Sequence, residues 1–269
     1  MPKILSLVVY PIKGMRGIEI NQAKLRPKGF QFDRRWMLVD QNGKFISQRS
    51  HPILTQFNIR FDSEQLLVSF GNELLKVEVE EMGNNQIPVS VFDDQMLASE
   101  AHPSYSNWFS QMLNESVQLV RHSSATERIK NFATYVNPEH TPQETPVSFA
   151  DGYPYLIVGT ASMDLLNSRM SDPLPLDRFR ANIIVETFEP HEEDHWQHIN
   201  IGDQKLLVIK PCARCQVPNI DQKTGISGNE PNKTLATYRK RENKIYFGMN
   251  AISLTNGLLT IGQEVYPVE

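Results

Sequence analysis

The apolar positions of the first hundred residues fall in short runs separated by turn-forming residues. Ile4 to Tyr10, Arg35 to Asp40, Asn58 to Phe61, Leu66 to Phe70 and Leu74 to Val79 combine β-branched and aromatic side chains, a pattern that predicts strands. Asn42-Gly43 predicts a hairpin between Trp36-Met37-Leu38-Val39 and Phe45-Ile46, because both turn residues tolerate positive φ. Many short strands with tight turns point to a barrel or a sandwich.

At Ser104 to Leu113 the period changes to that of a helix, with Trp108, Phe109, Met112 and Leu113 on one face and Ser104 or Ser106 as the expected cap. Val117 to Arg121 predicts a further strand, and Ser123 to Pro146, poor in apolar residues, predicts a long loop or a weak helix. Tyr155 to Val158 predicts a buried strand, followed by a helix capped near Thr160-Ala161-Ser162 with Leu165, Leu166 and Met170 turned inward. Asn182 to Val185 and Lys205 to Ile209 predict strands, Thr234 to Glu242 a short helix, and Ile245 to Val268 short strands around an Asn256-Gly257 turn. No internal repeat or low-complexity tract interrupts this order.

With 269 residues, 40% of them hydrophobic, the chain can bury a real core as one large domain or two modest ones. The formal net charge of -4 gives no global field for nucleic acid, so an anion site has to be a local cluster of Arg and Lys. No apolar run approaches bilayer-spanning length and the first ten residues lack secretory-signal features. With two cysteines, too few for a disulfide framework, the expected setting is a reducing cytoplasm.

Both cysteines lie in Lys210-Pro211-Cys212-Ala213-Arg214-Cys215, beside two cations. Cations near a thiol favour its thiolate and are costly to bury unpaired, so the segment reads as a site rather than as two packed structural cysteines. A nucleophile, a redox group and a soft-metal ligand all stay open at this point. A thioredoxin-like dithiol fits poorly, because Gln216 to Ile220 reads as extended and Pro218 stops a helix. A zinc finger lacks a second ligand pair at a familiar spacing. His191-Glu192-Glu193-Asp194-His195 spells a zincin motif, yet its acidic, Pro-flanked surroundings predict a solvated loop instead of the stable helix that chemistry needs. Cations also gather at Lys13 and Arg16, at Arg34-Arg35, and in Arg178-Phe179-Arg180-Ala181-Asn182, where an extended chain would put Arg178, Arg180 and Asn182 on one side to meet a phosphate or a polar ring edge.

Tyr10-Pro11-Ile12-Lys13-Gly14, Asp33-Arg34-Arg35-Trp36, Phe149-Ala150-Asp151, Phe179-Arg180-Ala181-Asn182 and Cys212-Ala213-Arg214-Cys215 occur in one order. Together with Thr234-Leu235, Tyr238-Arg239 and the closing Ile261-Gly262 and Val265-Tyr266, this set resembles the MOSC proteins, named for the C-terminal domain of molybdenum-cofactor sulfurases. The resemblance spans nearly the whole chain and is closest to the branch containing the mitochondrial amidoxime-reducing component and its bacterial relatives. It implies a mostly β (α+β) fold: an N-terminal β-barrel-like domain over residues 1–115 and a MOSC β-barrel domain over residues 116–269, with a few peripheral helices.

The resemblance further implies a molybdenum cofactor, molybdenum bound to molybdopterin, with Cys215 as the ligand sulfur and Cys212 at a more dispensable position. Lys13, Gly14, Arg34, Gly152, Tyr153, Arg180, Asn182, Ala213 and Arg214 fall where relatives hold the pterin and its phosphate. Asp151 matches a carboxylate near the metal and is the expected proton relay, which requires its pKa to be raised. The chain departs from its relatives at Gly14, where Ser is frequent, at Gly152-Tyr153, and at Ala181, where Pro is usual.

The implied activity is that of an oxidoreductase removing oxygen from N-hydroxylated or N-oxide substrates. With no four-cysteine cluster set in the chain, electrons are expected from a separate flavin, haem or iron–sulfur protein. The rival reading is a sulfur carrier or cofactor-handling protein that uses a Cys215 persulfide without turnover.

Overall fold

Strand Ile4–Val9 pairs with Ile18–Ile20 on one side and with Ile183–Val185 on the other, so the start of the chain is built into a sheet drawn mainly from the C-terminal half. The computed structural model describes residues 1–79, 83, 85–123, 126–136 and 142–268. The large sheet runs on through Tyr155–Gly159, Lys244–Ser253, Gln204–Ala213, His198–Ile201 and Tyr266–Val268, mostly antiparallel, with Tyr155–Gly159 and Ile183–Val185 parallel. Ile4 and Leu7 from one end of that order share one apolar core with Ile199 and Ile201 from the other. The sheet therefore curls on itself, as a twisted sheet must if both ends are to bury the same face.

A second unit packs three strands, Asn58–Asp62, Gln65–Phe70 and Glu73–Glu78, and a four-stranded sheet ordered Trp36–Val39, Gln118–Arg121, Asp94–Glu100 and Gln86–Val91. Between them lies a core of Trp36, Phe57, Leu66 and Val68, closed by helix α1 (Pro103–Leu113) through Phe109. The architecture is mostly β, with α1, α2 (Thr160–Ser168) and the short α3 (Asn232–Ala236) as its α-helices among the described residues. The two packing units interleave along the chain, because Ile4–Val9 and Ile18–Ile20 serve the large sheet and Gln118–Arg121 serves the smaller unit. Among the described residues no helix is long and apolar enough to cross a membrane.

Several local expectations change for identifiable reasons. The cap of α1 is His102, whose ring accepts the Ser104 N–H, while the Ser106 hydroxyl instead accepts the Leu119 N–H and ties the helix to its neighbouring strand. In α2 the inward residues are Ser162, Met163 and Leu166, and Leu165 and Met170 are only partly buried. The helix predicted over Thr234 to Glu242 is cut short at Ala236, because Lys240–Arg241 turns back as a hairpin onto Lys244–Ser253, with Glu242 at φ 53°. Gly257 opens a strand that pairs with Gln22–Leu25, so Asn256-Gly257 is no hairpin turn between the C-terminal strands. The described part of Ser123 to Pro146 holds a small hairpin, Ile129–Asn131 with Glu144–Pro146; residues 124, 125 and 137–141 of that stretch lie outside the described residues.

The long strands Gln204–Ala213 and Lys244–Ser253 shift register twice, between Val208 and Lys210 and between Pro211 and Ala213. Such irregularities bend a strand and re-aim its side chains. Gly248 lies opposite this stretch with φ 72°, and a Cβ there would stand 2.7 Å from the Ile157 carbonyl oxygen, so only glycine fits. The distortion carries the cysteine segment out of the sheet toward the second unit.

The join between the units centres on Asp33, which is fully buried. Its Oδ1 accepts the Tyr10 N–H at 2.9 Å and the Asn182 amide at 3.1 Å, and its Oδ2 accepts Arg34 Nη1 at 2.5 Å. Removing one partner of a buried ion pair leaves the other charge uncompensated. Asp33→Ala should lower unfolding free energy in urea by about 3–5 kcal/mol, and Asp33→Asn by less, since the amide oxygen still accepts from Tyr10. A loss below about 1 kcal/mol in Asp33→Ala would show that this junction does not hold the units together.

Candidate functional site

A cleft of about 670 Å³ opens between the distorted end of the large sheet and the second unit. Ala213, Arg214 and Cys215 leave strand Gln204–Ala213 along one wall, and Phe179, Arg180 and Asn182 precede strand Ile183–Val185 on the same side. Lys13 and Gly14, Phe45 to Arg49, and Ala150 to Tyr153 line the opposite wall. The lining contains eight Lys and Arg side chains against two carboxylates, Asp151 and Glu242. In a chain of net charge -4 this is a strong local reversal of sign, and it suits an anionic ligand.

Cys215 is exposed, whereas Cys212 is half-buried. The Cys215 sulfur receives the Val217 N–H at 3.5 Å, and the backbone carbonyl of Cys215 accepts from the Asn232 amide at 2.7 Å. Its neighbour behaves differently: Arg214 Nη1 donates to Cys212 Sγ at 3.1 Å and Nη2 to the Phe179 carbonyl at 2.8 Å. The cation beside the pair thus holds Cys212 in the wall and leaves Cys215 free to meet a ligand. Val217–Asn219 forms a single 3₁₀ turn instead of the extended chain expected after the cysteines.

Arg34 and Arg180 share the Tyr10 ring, with their guanidinium carbons 4.4 Å and 4.3 Å from its centroid. Both residues have positive φ, 48° and 55°, which turns each side chain away from the run of its own segment. Arg34 is tethered to Asp33 and to the Asn182 side chain at 2.8 Å, and its Nη2 donates to the Arg180 carbonyl. The Arg180 guanidinium makes no hydrogen bond among the described residues; burial, aided by the nearby Arg34 charge, pulls its pKa down to about 10. Burial likewise pushes the Tyr10 phenol up to about 12, so it stays protonated and donates to the Ala181 carbonyl.

Lys13 is buried and donates to the Phe149 carbonyl at 2.8 Å and to the Asp151 carboxylate. Burial lowers the Lys13 pKa, and the Asp151 charge partly restores it. Asp151, whose side chain is 64% exposed to the cleft, loses some hydration to the surrounding walls, but Lys13, Arg34 and Arg49 outweigh that cost and hold its pKa at about 2. The direction is opposite to the one a proton-relay role requires. At neutral pH Asp151 is an ionised acceptor held by Lys13, and the group of the pair with a transferable proton is the Lys13 ammonium.

Every residue that the family resemblance assigned to the cofactor or the metal lines this cleft. Asn182 does so with its amide already spent: it is 1% exposed, donates to the Val8 carbonyl and Asp33, and accepts from Arg34. It acts as a positioning residue for Arg34. Arg178 turns the other way, in the 3₁₀ turn Leu176–Phe179, and bonds Asp221 at 2.7 Å, because the segment is not extended as the sequence suggested. Arg16 and Arg35 also face away from the cleft. The zincin-like run is a single 3₁₀ turn in which Glu193 is buried and accepts from Ser162 and Gly159, so it does not present two imidazoles on a helical face.

Residues 1–116 match the MOSC N-terminal beta barrel domain and residues 144–266 match the MOSC domain. The chain belongs to the MOSC family. It is 27% identical to the molybdenum cofactor sulfurase of Oryza sativa subsp. japonica over 97% of this chain and 35% of that protein, and 28% identical to that of Danio rerio over 98% and 34%. The chain thus spans about a third of the length of these sulfurases. It is 25% identical to the mitochondrial amidoxime-reducing component 1 of Homo sapiens over 98% of this chain and 82% of that protein.

This MOSC cleft also contains residues that sequence reading passed over. Arg49 lies 5.1 Å from the Phe92 ring with no salt bridge among the described residues, and Tyr135 lies 4.1 Å from the Lys210 ammonium, which the expected Tyr153 approaches at 5.2 Å. Arg49 stands three residues beyond Ile46, the end of the hairpin arm that the sequence does predict, so its position beside the site was a small step away. Asp33 carried a signal too, an acid set directly before two arginines in a strand approach, where an unpaired buried cation would otherwise result.

The Lys13–Asp151 pairing makes a titration prediction. In a carbon-detected NMR titration the Asp151 carboxyl should ionise near pH 2, and in Lys13→Met its midpoint should rise toward the ordinary value of 3.8, because the charge and hydrogen bond of Lys13 are lost while Arg34 and Arg49 remain. An unchanged midpoint in the variant would mean that Lys13 does not set the charge of the cleft floor.

Proposed function

We propose that the chain is a molybdenum-cofactor oxidoreductase that reduces N-hydroxylated or N-oxide substrates. The observation that carries this reading is the convergence, in one cleft, of an exposed Cys215 thiol with an excess of cationic side chains. A soft thiolate suits a metal already bound by sulfur, and guanidinium groups suit a phosphate. The fit has specific support: the buried Arg214 Nε is unsatisfied among the described residues. Relatives named for molybdenum-cofactor sulfuration and for amidoxime reduction align along almost the whole chain.

In this reading Cys215 ligates molybdenum, and Arg34, Arg180 and Arg214 hold the pterin phosphate, with Lys13, Gly14, Gly152, Tyr153 and Ala213 shaping the walls and Asn182 fixing Arg34. The bound centre supplies two-electron removal of oxygen from the substrate N–O bond. Lys13 and Asp151 contribute a charge-neutral pair on the cleft floor: the ammonium donates a hydrogen bond toward departing oxygen, and the carboxylate keeps that ammonium in place. Gly14 fits here because its φ of 87° lets the chain turn after Lys13 while a Cβ would press to 3.1 Å from Leu54. Tyr10 and Phe179 underlie the guanidinium groups and exclude water from beneath them.

The reading takes residues 1–115 and 116–269 as the N-terminal and MOSC units, each lending strands to the other, and places the protein in the cytoplasm, where free thiols persist. Electrons arrive from a separate flavin, haem or iron–sulfur donor protein. The alignment to sulfurases favours a second reading, in which Cys215 carries a persulfide or passes cofactor onward without turnover.

Turnover separates the two. With benzamidoxime and a chemical reductant, protein made in a cofactor-producing host should form benzamidine, Cys215→Ala should lose that activity, and Cys212→Ala should retain most of it. Cofactor-loaded protein with no turnover would favour the handling role. Arg180→Gln should lower cofactor occupancy about tenfold or more at limiting cofactor, as expected for loss of a charge-assisted hydrogen bond.

A further inference from the structure

Arg128 lies outside the cleft lining, yet its side chain, only 2% exposed, is spent almost wholly on the segment that forms the cleft floor. Nη1 donates to the Ser148 carbonyl at 2.9 Å and to the Ala150 carbonyl, Nη2 donates to the Asp151 carbonyl at 2.9 Å, and Nε donates to Asp94 Oδ2 at 2.7 Å. Four of the five N–H donors of the guanidinium are thus placed. Local pairing explains the reach. The Val147 N–H donates to the Arg128 carbonyl at 2.9 Å, which extends the pairing of Ile129–Asn131 with Glu144–Pro146 by one step and brings Arg128 alongside the residues that follow Val147.

The carbonyls of this segment divide by direction. Ser148, Ala150 and Asp151 turn theirs to Arg128, while the Phe149 carbonyl accepts from Lys13 Nζ at 2.8 Å and the Phe149 N–H donates to the Arg34 carbonyl at 3.1 Å. Anchoring one side of such a stretch fixes what the other side presents. Asp94 carries the link to a second element. It begins strand Asp94–Glu100, pairs also with Lys130, and stands two residues after Phe92, which is 46% exposed and has φ 56°. A bulky residue keeps that conformation only where its surroundings hold it, and the twice-paired Asp94 is such a hold. The Phe92 ring stands edge-on to Phe45 at 5.0 Å, and the Lys13 ammonium lies 4.9 Å from the Phe45 centroid and 5.8 Å from that of Phe92. Arg128 therefore ties together the two groups of contacts around Lys13, the Phe149–Asp151 segment and the Phe45–Phe92 ring pair.

We propose that Arg128 is the positioning residue of the Lys13–Asp151 pair: its fork fixes the floor segment so that Asp151 meets the ammonium and the ammonium faces the departing oxygen. The second half of this statement rests on the oxidoreductase reading above, and the first half stands without it. Arg128 does not line the cleft, so it acts through the segment alone. The charges around the pair separate its two members. Burial, Arg128 and Arg34 lower the Lys13 pKa while Asp151 raises it, whereas Asp151 answers to burial and to Lys13, Arg34 and Arg49. The Asp151 titration thus reports where its carboxylate stands relative to Lys13.

The test follows the Asp151 carboxyl by carbon-detected NMR in the intact chain without cofactor, with unfolding in urea measured beside it. Arg128→Gln should move the midpoint from about 2 up toward the value reached in Lys13→Met. Arg128→Lys keeps the charge and loses the fork, so its midpoint should rise as well, and this milder variant decides the matter if Arg128→Gln does not fold. In Asp94→Asn the amide oxygen still accepts from Arg128 Nε, so stability should fall while the Asp151 midpoint stays in place. The proposal is overturned if a folded Arg128 variant keeps its midpoint near 2, or if Asp94→Asn moves it as far as Arg128→Gln does, which would make the midpoint a reporter of stability alone. In cofactor-loaded protein with benzamidoxime, Arg128→Lys should lower kcat about tenfold at a nearly unchanged KM. A shifted midpoint with unchanged kcat overturns the part of the proposal that concerns the departing oxygen. A parent protein without turnover counts against the oxidoreductase reading, and the midpoints still decide whether Arg128 positions the pair.

Discussion

One buried carboxylate organises the joint between the two halves of this protein. Asp33 accepts hydrogen bonds from the backbone of the first strand, from the Asn182 amide that precedes a strand of the C-terminal half, and from Arg34 of its own segment. A buried charge survives only when its hydrogen-bonding capacity is filled by strong donors, so all three groups are fixed in relation to one another. Arg34 in turn bonds Asn182 and the Arg180 carbonyl, and both guanidinium groups lie on the Tyr10 ring. The cationic wall of the cleft therefore inherits its geometry from a structural ion pair. The interleaved strands supply the apolar core, and Asp33 sets how the two units meet.

Charge is distributed to match. The chain is acidic overall, yet its cleft is lined by Lys and Arg. In the cleft, three cations pair with carboxylates among the described residues, Lys13 with Asp151, Arg34 with Asp33 and Arg241 with Asp194, and Arg214 is held by Cys212 and the Phe179 carbonyl. Division of labour between the cysteines follows the same logic: Arg214 holds the half-buried Cys212, and the exposed Cys215 faces the cleft. The two cysteines thus differ in setting, Cys212 held in the wall and Cys215 exposed.

Much of this was legible in the sequence where a single local rule decides the outcome. Clusters of β-branched residues marked the strands around Ile4, Leu66 and Tyr155, and Asn42-Gly43 marked its hairpin, because alternation and turn chemistry act over a few residues. The ordered motifs around Lys13, Arg34, Asp151, Arg180 and Cys215 marked residues that meet in one cleft. What escaped depended on long-range partners. Arg178 and Arg180 look alike in sequence, and only Asp221, forty-odd residues away in the chain, draws the first of them out of the cleft. The helix expected to Glu242 yields to a strand because Lys244–Ser253 offers backbone pairing. The charge state of Asp151 depends on Lys13, which stands on the opposite side of the fold in sequence and beside it in space.

The central claim is that the cleft holds a molybdopterin-bound metal through Cys215. It is tested most directly by measuring the molybdenum and pterin content of protein purified from a cofactor-producing host. The account predicts equimolar molybdenum and pterin retained through gel filtration and lost together in Cys215→Ala or in variants of the cationic wall. Repeated preparations of folded protein with neither molybdenum nor pterin would contradict it.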